Sequence, residues 1–384
     1  MTKPDFEMGY IEVKLSKTIK FDKMENDGFE VRTGLGNSRK TIAINSTDDF
    51  AFLKWLFCIR DIQKRDQIVR SGQELLGLPL DECTQIIDKC VQMGILDDSG
   101  PDAGTGEDLS FELVDEWSRF GWQDAAEFHI ACRELAFVSD SEGGETYKEI
   151  YDRLKQSSET VGEQLPHYSP RQSDSRLTVP SNDLDRSITL AQVFSRANPI
   201  NKFRGSQPKL NDVLGAICDG FAIQKVVSGS LGEHQKRPYP SGGARHPFEL
   251  YLLTQSDDRG KYSIYWFDPL TQELNLQRED ITKRQIDNAC FGKGGVVSSN
   301  LLVVLTCRWV RHSWKYRYSR SYRMLLLELG HIVQSLNLNF RARGIDVFQC
   351  PSLDDSNWAE LLSIEDSCNE APLYVLSLGT GGIL

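Results

Sequence analysis

No run of 18 apolar residues occurs in the 384-residue chain, so no membrane-spanning helix is expected. The opening stretch "MTKPDFEMGYIEVKL" carries early acids and no apolar core, so no signal peptide is expected either. CxxC is absent, and the nine cysteines are scattered and odd in number. That pattern excludes a disulfide framework and points to reduced, buried thiols in a cytoplasmic protein. Clustered metal ligands are missing, so no metal site is expected. A basic excess is missing too. The formal net charge is -11, which disfavours general nucleic-acid binding. Internal repeats and low-complexity tracts are also absent.

What is present is ordinary for a globular protein, 40% hydrophobic and 26% charged, and long enough for two or three domains. Residues 10 to 45 alternate apolar and polar at Ile11, Val13 and Leu15, at Phe29 and Val31, and at Ile42 and Ile44, which predicts short strands. The period then changes. A helix capped at Thr47 or Asp48 is expected to carry Phe50, Leu53 and Phe57 on one face. A second helix is expected in "QKRDQIVRSGQELLG". A third is expected in "LPLDECTQIIDKCVQMGIL", with Ile86, Ile87, Cys90 and Val91 as its stripe and Gly94 as its stop. Cys83 and Cys90 read as core residues of that helix.

Strands followed by three helices give the layout of a winged helix. The third helix carries Asp81, Glu82 and Asp88 against Lys89, so a DNA-reading role is disfavoured. A sheet edge beside a helix can instead take an extended peptide as an added strand. The stretch "KLSKTIKFDK…TIAINSTDDFAFLKWL…CTQIIDKCVQMGILDD" resembles the PqqD-like peptide-recognition element of peptide natural-product enzymes. The resemblance implies that residues 1–100 form a winged-helix-like domain holding the leader of a precursor peptide. The plainer reading is a structural winged helix.

A breaker-rich boundary, "DDSGPDAGTGED", is followed by an aromatic helix with Trp117, Phe120, Trp122 and Phe128, on whose apolar side His129 reads as a packing residue. A polar, Pro/Ser-rich segment completes a connector over 101–186. From about Ser187 the pattern is α+β. "FELYLLT", "YSIYWFD" and "ELNLQRE" read as antiparallel strands, "NLLVVLTCRW" as a buried strand, "YRMLLLELGHIVQSLNLNFRARG" as a long helix and "APLYVLSLG" as a closing strand.

Two stretches in this domain, 187–384, draw attention. "RPYPSGGARHP" puts prolines, serine and two glycines directly before a strand, a backbone suited to presenting N–H groups closely to a flat or anionic ligand. "RWVRHSWKYRYSRSYR" is a basic island without a single acid. Together with "LLLELGHIVQSL" and "EAPLYVLSLG", in this order, they resemble the nitroreductase superfamily and, within it, the SagB-type flavin-dependent azoline dehydrogenases.

That resemblance implies an α+β, nitroreductase-like FMN domain, an FMN site built across a homodimer, and oxidation of thiazolines or oxazolines to azoles in a ribosomally made peptide. The precursor peptide and the pathway's cyclodehydratase are the implied partners. It carries over a flavin-contacting turn at Ser241, Gly242 and Gly243, and a catalytic pair at Lys315 and Tyr316. Removing a ring Cα proton needs a base. A phenol beside an ammonium has a lowered pKa and suits that role, but which of the pair takes the proton stays open.

The sequence departs from the family where arginines grip the phosphate. Here only Arg196 stays close, with Lys202 and Arg204 nearby. Arg245 stands ready either to reach the phosphate or to face substrate. Gln334 matches a family position on the long helix. His331 beside it reads as packing, and His246 as a substrate-site candidate. Two other functions remain. One is a flavin-dependent reductase of dehydroamino acids. The other is a non-catalytic peptide-binding scaffold with a degenerate flavin site.

Overall fold

The computed structural model describes residues 12–15, 20–23, 29–33, 40–44, 49–59, 63–97, 113–133, 175–178, 187–195, 200–229, 232–256, 260–364 and 368–383, with isolated positions between 149 and 173. The chain divides into two compact units, Met1–Phe137 and Val138–Leu384.

In the first unit, strands Lys20–Lys23, Phe29–Thr33 and Lys40–Ile44 form an antiparallel meander. A second small sheet places Glu12–Leu15 between Gln63–Lys64 and Leu96–Asp97. Helices Asp49–Cys58, Arg65–Leu76 and Leu80–Met93 close on a core of Trp55, Leu56, Ile68, Cys83, Ile87 and Cys90. The first helix turns its Leu53–Leu56 side inward and leaves Phe57 outside at 43% exposure, which corrects the expected stripe. Trp55 displaces Phe57 because its indole N–H reaches the Ile68 carbonyl (3.3 Å) and Ser71 Oγ (3.2 Å), giving a buried ring a satisfied polar edge. Gly94 ends the third helix at φ 75°, a left-handed cap that glycine adopts without a Cβ penalty.

The second unit is built on a seven-stranded antiparallel sheet. Its spatial order is Asp346–Cys350, Glu370–Gly379, Leu301–Arg308, Phe248–Gln255, Lys261–Phe267, Glu273–Thr282 and Arg176–Thr178. Both faces are covered. Phe248, Leu250 and Leu252, with Leu301, Val303 and Leu305, face one core under helices Leu210–Phe221 and Ser321–Ala342. Tyr251 and Leu253, with Leu302 and Val304, face a second core with Trp266 and Trp358. This double coverage explains why "LLVVL" reads as an unbroken apolar run: each residue alternates sides, yet neither side meets water. Burying each such side chain contributes roughly 1.5–3 kcal/mol.

Part of the segment expected as connector joins this sheet. Arg176–Thr178 pairs with Glu273–Asn275, and Arg171 reaches Glu370 at 2.6 Å. The long helix lies close to its neighbour because Gly220 has no side chain. A Cβ there would sit 3.1 Å from Leu336 Cδ2, and Ser335 Oγ donates to the Gly220 carbonyl at 3.0 Å. Its outer face exposes Tyr322 (42%), Leu326 (46%) and Leu327 (65%). His331 also lies on the exposed side, so it is not the packing residue expected. Among the described residues, no helix is long and apolar enough to cross a membrane, and no metal-ligand cluster occurs.

Candidate active site

The turn before strand Phe248–Gln255 is strained. Gly243, Ala244 and His246 all have positive φ, at 58°, 53° and 43°. Its N–H groups are largely spent within the fold. Ala244 N donates to the Ser241 carbonyl (3.0 Å), Arg245 N to the Gly242 carbonyl (3.2 Å) and His246 N to Ser241 Oγ (2.9 Å). Gly242 N donates to Glu328 Oε2 on the long helix at 3.3 Å. The expectation that these donors face a ligand is therefore corrected for these four.

The glycines serve another purpose. A Cβ on Gly243 would run into Tyr316 Oη and stand 2.9 Å from Lys315 Nζ. On Gly242 it would stand 2.9 Å from Met324 Cε and 3.1 Å from His312 Cε1. The two stretches singled out in the sequence thus meet, and only glycine leaves room for the meeting.

Lys315 and Tyr316 follow a helical turn, Trp309–Ser313, whose His312 carbonyl accepts both of their backbone N–H groups at 3.1 Å. Lys315 Nζ lies 5.4 Å from the centre of the Tyr316 ring. The Tyr316 ring leans on His312, with centroids 4.8 Å apart and planes tilted by 35°. Burial, and next the like charge of Arg245, push the Lys315 ammonium below the ordinary lysine range. Burial pushes the Tyr316 phenol up, with Tyr318 adding to this and Arg245 opposing it. A phenol acidified by its neighbour was the expectation; desolvation reverses it. Lys315 thus holds its proton less tightly than an ordinary lysine, and Tyr316 more tightly than an ordinary tyrosine. Burial, then Arg245, hold the His312 ring neutral down to about 4.

Arg245 is fully buried, and its charge acts on Tyr316, Lys315, His312 and His234, so the structure places it with the pair. Ser241 is tied to the turn, as above. Gln334 is exposed on the outer face of the long helix, where Asn337 Nδ2 donates to its Oε1 at 3.3 Å, and within this chain it is not brought to the turn. Arg196 lies outside the described residues. Lys202 belongs to a short strand pairing with Gly382–Ile383, and Arg204 N donates to the Gly381 carbonyl at 3.2 Å. His246 is buried with Nε2 2.9 Å from the Gln235 carbonyl, a turn-holding position rather than the substrate-facing one expected. The His129 ring lies tilted by 48° against Trp117 in the first unit, with centroids 5.3 Å apart.

Four buried polar neighbours of the site escaped sequence reasoning: Glu328, His312, Arg311 and Glu249. Glu328 sits buried beneath the turn, and burial pushes its carboxyl up to about 7 against the Ser241 and Gly242 hydrogen bonds. Arg311 Nη2 contacts Glu249 Oε1 at 2.6 Å, and both side chains are buried. The available signal was an acid, Glu249, inside a strand otherwise apolar on both faces, and a basic island with no acid of its own to pair with.

A sheet covered on both faces, with a glycine turn pressed against a lysine–tyrosine pair, defines an α+β domain with a built site at one end of its central strands. Residues 190–380 match the model of the Nitroreductase family, and this part of the chain is a nitroreductase-family domain. Members of this family typically bind a flavin. The trifolitoxin-processing protein TfxB of Rhizobium leguminosarum bv. trifolii is 22% identical over 310 residues, covering 78% of this chain and 80% of that protein. The microcin B17-processing protein McbC of Escherichia coli is 29% identical over 149 residues, covering 38% of this chain and 54% of McbC. Among solved structures, the E. coli microcin synthetase McbBCD complex with truncated pro-MccB17 bound aligns at 20% identity and a TM-score of 0.41, covering 71% of this chain and 94% of the matched one.

The residues present would suit an anionic group, such as a phosphate or a reduced flavin: Arg245 and Lys315 bring like charges together, and a nearby negative charge would relieve both. The space over Gly242 and Gly243 is itself filled by His312, Met324, Lys315 and Tyr316.

Proposed function

We propose that the protein is an FMN-dependent dehydrogenase that oxidises thiazolines or oxazolines to azoles in a ribosomally made precursor peptide. The observation that carries this is the contact of Lys315 and Tyr316 with Gly243 beside Arg245, in a domain whose relatives process trifolitoxin and microcin B17. Bound FMN would supply the acceptor for the hydride, and dioxygen would take the two electrons from it between turnovers. Lys315, with its depressed pKa, takes the azoline Cα proton on its free amine and becomes ammonium. Tyr316 stays protonated and orients the ring by donating a hydrogen bond.

The partners follow from this reading. The precursor peptide carries a leader, for which the first unit with its small sheets is the proposed seat. A cyclodehydratase must install the azoline first. Tyr322, Leu326 and Leu327 offer an apolar helix face for a homodimer. The site of action proposed is the cytoplasm.

One observation favours a second reading. A phenol that keeps its proton is also suited to donating it, as reduction of a dehydroamino acid requires. Oxidation of the azoline peptide without NAD(P)H supports the dehydrogenase; NAD(P)H consumption with dehydroamino-acid peptides supports the reductase. The direct test is the visible spectrum of the purified protein, followed by turnover of Lys315→Met and Tyr316→Phe. Oxidised-flavin bands with released FMN, and loss of turnover in both variants with flavin and peptide binding kept, are expected. A protein that binds no FMN, or a fully active Lys315→Met, would sink the assignment.

A further inference from the structure

A buried charge contact beside the site joins the two segments that form it. Glu249 stands on the strand that follows the glycine turn, and Arg311 on the helical turn that precedes Lys315. Arg311 Nη2 meets Glu249 Oε1 at 2.6 Å, an ion pair whose angles fall outside hydrogen-bond geometry. The other carboxylate oxygen accepts the Trp266 indole N–H at 2.9 Å. Arg311 Nη1 donates to the His246 carbonyl at 3.4 Å, at a residue held at φ 43°.

A single guanidinium therefore touches the strand after the glycine turn and the strained end of the turn itself, while its own backbone leads four residues later into Lys315. Burying such a pair adds little net stability, because desolvating two charges offsets most of their attraction. Removing one partner, by contrast, strands the other in a dry interior. A costly contact at the junction of two functional segments has geometry, rather than stability, as its product.

Resting on the function proposed above, we infer that Arg311 and Glu249 are positioning residues that set Lys315 and Tyr316 against the glycine turn. The test separates stability from register. Arg311→Met alone should lower the melting temperature, since Glu249 keeps its charge. Adding Glu249→Gln removes the stranded charge, leaves Trp266 an acceptor, and should recover most of that loss. Turnover should stay at least about tenfold below wild type in the double variant, since small displacements of reacting groups cost up to about 10²-fold.

A second readout is independent of flavin and of substrate. It is the rate at which an amine-reactive ester acylates Lys315 across pH 7 to 10, followed by peptide mass spectrometry. In the double variant, and in Arg311→Lys, which keeps the charge but not the fork, the Lys315 profile should move toward that of exposed lysines. A double variant, or an Arg311→Lys protein, with both the wild-type Lys315 profile and wild-type turnover would overturn the inference. If wild type oxidises no azoline while its Lys315 profile still shifts in these variants, the inference stands and the proposed reaction fails.

Discussion

Replacing Gly243 with alanine isolates what the glycine is for. Two penalties meet there. The backbone sits at φ 58°, a left-handed conformation that costs an L-residue roughly 1–2 kcal/mol. In addition, the new Cβ would run into Tyr316 Oη and approach Lys315 Nζ to 2.9 Å. Gly344 carries the first penalty alone: its φ is 72° and nothing lies within 4 Å of its Cβ position. The two alanine variants therefore share a conformational cost and differ in contact. Lys315 Nζ ends a flexible chain and swings aside cheaply, whereas the Tyr316 ring leans on His312 at 4.8 Å and resists. In urea unfolding both variants should lose about 1–2 kcal/mol, with Gly243→Ala somewhat the worse. Turnover should separate them clearly. Gly344→Ala should keep wild-type turnover, and Gly243→Ala should fall by tenfold or more, because the displaced atoms are the ones to which the proposed mechanism gives the proton chemistry. Equal turnover in the two variants would refute the reasoning that Gly243 is there to admit the pair.

Glu328 gives a pH prediction. Its folded carboxyl titrates near 7, above the ordinary 4.5, so the stability tied to its neutral form is fully present below about 4.5 and is lost as pH rises through 7. Glu328→Gln cannot titrate, and its stability relative to wild type should improve by up to about 3 kcal/mol between pH 4.5 and 8; a difference constant with pH would reject the shifted carboxyl. If the first unit holds the leader, a leaderless peptide should show a raised KM with kcat nearly kept, and an unchanged KM removes that role.

Much of the fold was legible in the sequence because its cause is local. Alternation in "FELYLLT" and the unbroken run in "LLVVL" follow from strand geometry and two covered faces, and the long helix follows from the spacing of Leu325, Leu329, Ile332 and Leu336, all of them buried. Phe57 was misplaced because which of several apolar faces wins depends on partners: Trp55 could satisfy its N–H inside and so took the interior.

The site divides in the same way. Sequence by itself determined the glycine turn, the Lys315–Tyr316 pair and their belonging to one kind of domain, since motif order and residue type are written along the chain. Only the tertiary structure decided that the pair packs on Gly243, that Arg245 sits beside it, and that Glu249 answers the acid-free island through Arg311. It also turned His246 inward onto the Gln235 carbonyl and left His331 exposed. It set the direction of proton affinity as well: adjacency to Lys315 suggested an acidified Tyr316, and burial gave the opposite. Desolvation and through-space charge depend on what surrounds a group in three dimensions, and a linear order of residues does not carry that.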